Sequence, residues 1–386
     1  MLLKVSRENL LSSLAVVQSI VERRNAVPIL EHVKVDLLLN EIKLTTTDMD
    51  INISSSFESE VPSDMIGISF TTVVQPLYDV IRKIFNCNEV YFDLENIKSG
   101  TIFVKANNSK FVLPCLEADS FPTFGEFLEP QHQFETTTGV INFLLSKSKH
   151  AMASGETRYY LNGIYLHNLK DPEGNNMLCA VATDIHRLAK VEIEAPRGAE
   201  NIKGVIIPRK SVLEISKLLE EYQIDQPIQV EIGNHRMRLV LPNVVLVSKL
   251  VDAVFPNYEA ALPIKCNAAA TISTKEFSRA IDLVSTISEG KVKTVRLEFN
   301  TNILGIIAEN QGQNRSSALQ EIATDSGEIA VIDILMNSRY VMDTLSVIEG
   351  DSVEVRMIDN VSPVLVIDQK NKGCRYILMP MQLSST

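Results

Sequence analysis

The sequence predicts an α+β protein of three similar domains, each with two helices and mostly antiparallel strands. Three observations support this prediction. A chain of 386 residues is too long for one ordinary core, two landmarks recur in each third of it, and the same order of helices and strands surrounds them. The predicted domains, referred to below as the first, second and third repeats, span residues 1–125, 126–261 and 262–386.

The two landmarks keep nearly constant spacing along the chain. The first is a polar residue that closes an apolar, strand-like segment, and it occurs as Asp48, Asp184 and Asn310. The second is a proline that follows the first landmark by 74, 72 and 70 residues, namely Pro122, Pro256 and Pro380. Because two independent landmarks agree, the three segments are predicted to share one fold.

Each repeat begins with a strand and a helix, continues with two or three strands, and then adds a second helix and further strands. The first helices are predicted within LLKVSRENLLSSLAVVQSIV, QFETTTGVINFLLSKSKHAM and ATISTKEFSRAIDLVSTIS, where a Ser or Thr precedes apolar residues at helical spacing. The second helices are predicted in VQPLYDVIRKI, PRKSVLEISKLL and NSRYVMDTLSVI. Turn signals such as IGN and EGD separate the strands that follow.

Composition narrows the class of protein. A hydrophobic content of 45% with 22% charged residues is typical of a folded globular chain. No apolar run approaches the roughly 18 residues of a spanning helix, and no signal peptide is recognisable at the start, so we expect a cytoplasmic protein. The five cysteines are scattered without a C-x-x-C pair, which favours reduced thiols over a zinc site, and no cofactor is predicted.

The segment ATDIHRLAK places an acid, an imidazole and a guanidinium within four residues, at Asp184, His186 and Arg187. Asp184 and His186 are two residues apart, so on a strand both would face the same side. No nucleophile or oxyanion donor can be assigned beside them, and the common catalytic motifs are missing from the sequence. An enzyme is therefore not favoured, although a hydrolase that uses Asp184 and His186 remains an alternative.

Charge is distributed unevenly along the chain. The net charge is −11, yet the six predicted helices with their flanks sum to +4, so the remainder carries −15. This pattern favours helices that face a polyanion such as DNA, although helix surfaces also vary without function. Three domains would form half of a six-domain ring if two chains associated head to tail through their edge strands. A monomeric peptide-binding adaptor is the alternative.

Several short motifs in this order resemble the beta-subunit family of bacterial DNA polymerase III, the sliding clamps. They are NAVPIL, RYYLNGIYL, ATDIHRLA, IPRK, SKLVDAVFPNY and YILMPMQL, and the resemblance runs from Met1 to about Leu383. It implies a homodimeric ring without catalytic activity that encircles duplex DNA, with strands outside and helices lining the channel. It also implies partners: the polymerase catalytic subunit, which the ring would tether for processivity, an ATP-driven clamp loader, and other replication and repair proteins.

The resemblance further implies two sets of site residues. A partner-peptide groove between the second and third repeats would be lined by Leu161, Thr183, Ile185, His186, Arg187, Leu188, Pro256, Asn337, Tyr340, Val361, Pro363, Met379, Pro380 and Met381. DNA contacts would fall on Arg24, Arg158, Tyr159, Tyr160, Arg209 and Lys210. Basic side chains would contact phosphates, and the tyrosines would contact the backbone or stack on a single strand.

The sequence also departs from the family pattern. Ile185 stands where the groove commonly has glycine, Ala260 and Ala261 follow FPNYE where some relatives have larger or basic side chains, and Gln382 replaces a common arginine. The segment NQGQNRSSALQEI is less acidic than the family's usual dimer seam, so Lys110 is left without an acidic cluster to pair with. These departures concern partner preference and dimer strength rather than the fold.

Overall fold

The computed structural model describes residues 1–22, 25–125, 127, 130–263, 265–288, 293–310 and 316–382. The chain divides into two compact units. One consists of Met1–Gly139 with Glu214–Leu250, and the other of Val140–Leu213 with Val251–Thr386. Within the described residues, no helix is long and apolar enough to span a membrane.

Six α-helices occur in the described residues, two in each repeat, and they confirm the predicted element order. In chain order they are α1 Arg7–Val17, α2 Val74–Lys83, α3 Thr138–Ser148, α4 Arg209–Leu219, α5 Thr274–Ser285 and α6 Ser338–Leu345. Two of the predicted serine caps are present. The Ser6 hydroxyl accepts a hydrogen bond from the Asn9 amide, and the Ser273 hydroxyl accepts one from the Glu276 amide, each at 3.4 Å.

The first unit contains two antiparallel sheets, with strands numbered in chain order throughout the molecule. The four-stranded sheet has the order β1 Leu2–Ser6, β6 Glu89–Asp93, β7 Thr101–Ala106, β8 Ser109–Pro114. The eight-stranded sheet has the order β5 Ser69–Val73, β2 His32–Leu38, β3 Glu41–Thr47, β4 Ile51–Glu58, β16 Val244–Lys249, β15 Arg236–Val240, β14 Pro227–Ile232, β9 His132–Thr137.

The second unit is organised by one twelve-stranded sheet. Its strand order is β13 Val205–Pro208, β10 Gly163–Lys170, β11 Asn176–Thr183, β12 Arg187–Glu194, β24 Cys374–Leu378, β23 Val364–Asp368, β22 Ser352–Met357, β17 Ala268–Ser273, β20 Ser316–Asp325, β19 Ile303–Asn310, β18 Thr294–Asn300, β21 Ile332–Asn337. All pairings are antiparallel, as expected for α+β repeats.

Successive repeats are joined in the same way twice. In the first unit β4 of the first repeat pairs with β16 of the second, for example Asn52 with Val247. In the second unit β12 of the second repeat pairs with β24 of the third, for example Ala189 with Tyr376. Each junction therefore continues a sheet from one repeat into the next and leaves no free edge at that point.

A buried apolar cluster lies behind β11 and β12 in the second unit. Its core residues are Leu161, Cys179, Val181, Leu188, Ile206, Phe255, Tyr258, Leu365, Ile367 and Ile377. The rings of Tyr165 and Phe255 stack with centroids 4.8 Å apart, and the Tyr258 hydroxyl lies 3.0 Å from Nε2 of His167. This packing fixes the ends of β11 and β12, where the TDIHR segment lies.

Candidate functional site

A tight turn joins β11 to β12 and holds Thr183 to Arg187 in one conformation. The Thr183 hydroxyl accepts a hydrogen bond from the Ile185 amide at 3.1 Å and donates one to the Arg187 carbonyl at 2.7 Å. One Asp184 carboxylate oxygen accepts from the amides of His186 and Arg187 at 3.1 and 3.0 Å. The acid therefore holds the backbone of the turn and does not orient the imidazole as a catalytic dyad would.

The Arg187 guanidinium connects this turn to α6. Its Nε donates to Asp184 Oδ2 at 3.0 Å, its Nη1 donates to Asp343 Oδ2 at 2.6 Å, and its Cζ lies 4.4 Å from the centre of the Tyr340 ring. The Arg187 side chain is 11% exposed. Two carboxylates and an aromatic face hold this cation, and the planar guanidinium suits that arrangement better than a lysine would.

A cavity of about 600 Å³ opens beside this network. Its walls come from the turn, from α6, from the start of α4 and from the segment between α3 and β10. The lining residues are His150, Met152, Ala153, Ser154, Gly155, Thr157, Arg158, Leu161, Asp184, Ile185, His186, Arg187, Arg209, Arg339 and Tyr340. Four arginines and one aspartate lie in the wall beside apolar residues such as Met152, Leu161 and Ile185. The volume lies in the range of small-ligand and anchor sites.

Five of the fourteen predicted groove residues line this cavity. They are Leu161, Ile185, His186, Arg187 and Tyr340. The His186 ring stacks against Tyr340 with centroids 6.3 Å apart and planes 20° apart. The turn and α6 therefore present an imidazole, a phenol ring and a guanidinium on one wall.

Three other predicted residues support this wall from behind. Thr183 and Leu188 are buried, the first fixing the turn and the second belonging to the apolar cluster. The Asn337 side chain caps α6 by accepting a hydrogen bond from the Arg339 amide at 3.0 Å. Their positions explain how the wall is held, although they do not themselves line the cavity in the described part of the chain.

The remaining six predicted groove residues lie outside the lining of the cavity. They are Pro256, Val361, Pro363, Met379, Pro380 and Met381. The Met379 amide donates to the His186 carbonyl at 2.9 Å, so the segment after β24 runs directly beside the turn. Val361 and Met379 are exposed apolar side chains, and Pro256 is also exposed. Met379 therefore places an exposed apolar side chain next to the turn.

The predicted DNA-contact residues separate into distinct environments. Arg158 and Arg209 line the same cavity as the groove residues, and Arg209 Nη1 donates to the carbonyls of Met152 and Ala153 at 3.1 and 3.3 Å. Lys210 is exposed. Arg24 lies outside the described residues.

The tyrosine pair lies on a 3-10 turn, Glu156–Leu161. Tyr159 is exposed, whereas Tyr160 packs against the apolar cluster, and the two rings meet edge to face at 6.0 Å. Tyr159 is therefore the member of the pair that is available to a nucleic acid.

One predicted source of positive charge is used inside the protein. Lys147 on α3 is buried, and its Nζ donates to the Val347 carbonyl at 2.6 Å and pairs with Glu349 at 2.7 Å. It was counted among the basic residues of the helices, but this ion pair removes it from any outward-facing surface. Because Glu349 is counted in the same helical sum, the pair leaves the total of +4 unchanged, but Lys147 itself does not face DNA.

His150 is the main cavity residue that the sequence did not single out. Burial, together with the nearby Arg187 cation, lowers the pKa of His150 to about 4, so the ring is neutral at pH 7. It packs against Tyr376 with centroids 5.5 Å apart, and its Nδ1 has no hydrogen-bond partner among the described residues.

Arg339 and Asp343 were also missed. They lie one residue before and three residues after Tyr340. Arg339 and Asp343 are four residues apart, and that helical spacing was the available signal that they share one face of α6.

Comparisons with known proteins agree with this architecture. The chain matches the N-terminal, central and C-terminal domain models of the DNA polymerase III beta subunit over residues 1–125, 136–257 and 259–382. It is 33% identical to the beta sliding clamp of Caulobacter vibrioides over 384 residues, covering 99% of this chain and all of that protein. It is 29% identical to the beta sliding clamp of Haemophilus influenzae over 379 residues, covering 98% and 99%.

Solved structures give the same result. The sliding clamp of Bartonella birtlesii, solved bound to griselimycin, superposes with a TM-score of 0.92 at 33% identity, covering 99% of this chain and 100% of that one. The DNA polymerase III beta subunit of Pseudomonas aeruginosa superposes with a TM-score of 0.91 at 29% identity, with the same coverage. Both likenesses extend over nearly the whole chain.

The repeated fold and these matches define a DNA sliding clamp, which is a processivity factor and not a catalytic enzyme. More specifically, the chain belongs to the family of DNA polymerase III beta subunits. The resemblance expected from the sequence is confirmed, and the hydrolase and adaptor alternatives are not favoured.

Proposed function

We propose that two copies of this chain associate head to tail into a closed ring of six domains around duplex DNA. The observation that carries this proposal is the pattern of strand pairing. Each junction between repeats pairs the fourth strand of one repeat with the last strand of the next, as β4 with β16 and β12 with β24. By the same rule, β20 of one chain would pair with β8 of a second chain.

Both strands have an edge that can accept a partner. β8 is the last strand of its four-stranded sheet. β20 pairs with β19 along its length but with β17 only through Thr324 and Asp325, so residues 316–323 have an open edge in the described part of the chain. Open edges of this length are normally covered in stable proteins. Two such contacts, related by a twofold axis, would close the ring.

Apolar side chains accompany both edges. Phe85, which is 78% exposed, borders a cavity of about 310 Å³ beside β8, and Val112 on β8 is 58% exposed. On the other side Leu319 on β20 is 60% exposed, and Leu283 on α5, which packs against β20, is 59% exposed. Isolated exposed residues are common, but matched apolar residues beside two open edges support an interface.

Replacing Leu319 with glutamate tests the ring. A buried, unpaired carboxylate at the seam would strongly disfavour dimerisation, so Leu319→Glu should sediment as a single chain at concentrations where the wild type is a dimer. The variant should also fail to stay on nicked circular DNA after loading by a clamp loader. The wild type should stay on the circle and be released when the DNA is linearised.

Leu39→Glu is the matched control, because Leu39 is 71% exposed at the turn between β2 and β3 and belongs to neither edge strand. It should remain dimeric and be retained on the circle. A wild type that sediments as one chain well above micromolar concentration, or a Leu319→Glu variant that dimerises normally, would refute the proposed seam.

The cavity, together with the exposed apolar residues Val361 and Met379, is proposed to bind short partner segments. The replicative polymerase, the clamp loader that opens the ring, and repair proteins would use this surface in turn. Limited apolar contact near Leu161, Ile185 and Tyr340 suits one or two anchor side chains, and the arginines suit an acidic or polar remainder. Tyr159, Arg158 and Lys210 are proposed to contact DNA phosphates or exposed bases.

His186→Ala tests the groove separately from the ring. The substitution removes a ring that lines the cavity and stacks on Tyr340. It should weaken binding of a labelled partner peptide about tenfold, since truncating a central contact commonly costs more than 1 kcal/mol. Retention on circular DNA should not change. Equal peptide affinity in the variant and the wild type would exclude this surface as the groove.

A further inference from the structure

The turn that forms the cavity wall requires an unusual backbone conformation at Ile185. Its φ is +82°, in the left-handed region that β-branched residues rarely adopt. The other non-glycine residues with positive φ in the described part of the chain are Met49 and four asparagines, Asn40, Asn86, Asn107 and Asn302. Asparagine tolerates this conformation, so Ile185 is the residue least suited to its own backbone angle.

The interior of this chain gives no reason for an isoleucine at that position. Ile185 is 49% exposed, so its side chain does not fill a core. It lines the cavity, where most other side chains are cationic or polar. Strained residues that persist at a binding surface commonly serve the ligand rather than the fold.

The Ile185 side chain is also held in place. Its amide donates to Thr183, and Asp184 accepts from the two amides that follow, so the backbone on both sides is fixed. A β-branched side chain on a fixed backbone has few rotamers. Ile185 therefore presents a rigid apolar surface to whatever enters the cavity.

We propose that Ile185 is a specificity-determining residue, on which the apolar anchor side chain of a partner segment packs. This inference rests on the proposed partner groove and assigns the discrimination between large and small apolar anchors to one side chain. Glycine or asparagine would satisfy the turn equally well without providing that contact.

The test is a double-mutant cycle between Ile185 and the partner anchor. The probe is a fluorescein-labelled peptide from the clamp-binding segment of the DNA polymerase III catalytic subunit, with each leucine or phenylalanine replaced in turn by alanine. Kd values are measured by anisotropy for the wild type, Ile185→Gly and Ile185→Asn. At one anchor position of the peptide, replacement by alanine should weaken binding to the wild type about tenfold or more. The same replacement should weaken binding to either variant about threefold or less.

Met49→Gly is the matched control. Met49 has φ +75° in the corresponding turn of the first repeat, so glycine there removes a similar backbone strain without changing the cavity. Met49→Gly should lose the same peptide affinity as the wild type when each anchor position is replaced by alanine. Ile185→Gly should unfold at a temperature no lower than the wild type, which separates loss of the contact from loss of structure.

The outcomes separate this inference from the groove itself. Suppose that the peptide binds and that His186→Ala weakens its binding, but that substitutions of Ile185 show no coupling to any anchor position. Only the role of Ile185 is then refuted. Tighter binding of the unmodified peptide by Ile185→Gly would likewise refute it, because the side chain would then be an obstruction. A peptide that does not bind, or that ignores His186→Ala, would overturn both proposals.

Discussion

One turn occurs twice in this molecule, and its two copies serve different purposes. In the first repeat the Met49 amide donates to the Thr47 hydroxyl at 3.1 Å, and Asp48 accepts from the amides of Asp50 and Ile51 at 2.9 and 2.6 Å. The second repeat has the same bonds from Thr183 and Asp184. Threonine and aspartate thus specify the turn, because their short side chains satisfy the amides that follow.

The two turns differ in the residues that follow the aspartate. In the first repeat Ile51 is fully buried, and Asp50 makes an exposed ion pair with Lys249 at 3.2 Å. In the second repeat the corresponding positions hold Arg187, bound by two carboxylates, and His186, stacked on Tyr340. The same backbone leads into a core in one case and into a polar cavity wall in the other, so scaffold and function are encoded by adjacent residues.

Removing the aspartate should reveal this difference most strongly. Asp184→Ala removes the acceptor of two amide hydrogen bonds and one partner of a guanidinium that is largely buried, and Asp48→Ala removes the acceptor of the two corresponding amide hydrogen bonds. We expect a loss of about 3 kcal/mol in local opening free energy at the second-repeat turn and about 1.5 kcal/mol at the first. Native-state hydrogen exchange of the amides of residues 50, 51, 186 and 187 measures both.

Asp184→Asn is the matched control for charge. The amide oxygen of the asparagine can still accept hydrogen bonds from the backbone, but the ion pair to Arg187 is lost. The local opening free energy of Asp184→Asn should therefore lie between those of the wild type and Asp184→Ala. An Asp184→Asn variant that opens like the wild type would show that the ion pair to Arg187 adds nothing to the second turn. The comparison would then reduce to shared backbone geometry.

The comparison also shows which features the sequence can reveal. Asp48 and Asp184 marked the repeats correctly because the turn is a local pattern, with every bond spanning two to four residues. The pairing of Arg187 with Asp343 joins residues 156 positions apart, and no periodicity in the sequence indicates it. Only tertiary packing brings that carboxylate to the turn.

Charge counting also placed one cation wrongly, for a related reason. Lys147 contributes to a basic helix in the sequence, yet in the structure it is buried and paired with Glu349. A sum of formal charges cannot distinguish a lysine that faces solvent from one that joins two elements. The groove residues themselves came from family resemblance, since an exposed methionine or valine carries no local signal of binding.

The surroundings of the second-repeat turn should also make it sensitive to pH. Burial lowers the pKa of His150, beside Arg187, to about 4. In the unfolded chain this imidazole has its ordinary pKa near 6.5. Between that pH and about 4, the unfolded state therefore binds a proton that the folded state does not bind. Stability from the neutral ring is therefore fully present above about pH 6.5 and is lost as the pH falls toward 4.

His150→Phe should reduce this loss, because phenylalanine keeps an aromatic contact with Tyr376 and does not titrate. Between pH 7 and pH 5 we expect the wild type to lose up to about 2 kcal/mol more than the variant. Urea unfolding at both pH values, followed by hydrogen exchange of the second unit, provides the measurement.

Burial also lowers the pKa of His32 and His167, so the wild type and His150→Phe should both lose some stability in acid. Only the difference in stability between the two proteins reports on His150. If the free energy of unfolding falls equally with pH in the two proteins, the folded state accommodates a charged His150, through water or movement of Arg187. The wall of the cavity would then be adaptable in acid. If hydrogen exchange of the wild type and His150→Phe differs in the second unit but not at the first-repeat turn, the pH sensitivity belongs to the turn that lines the cavity.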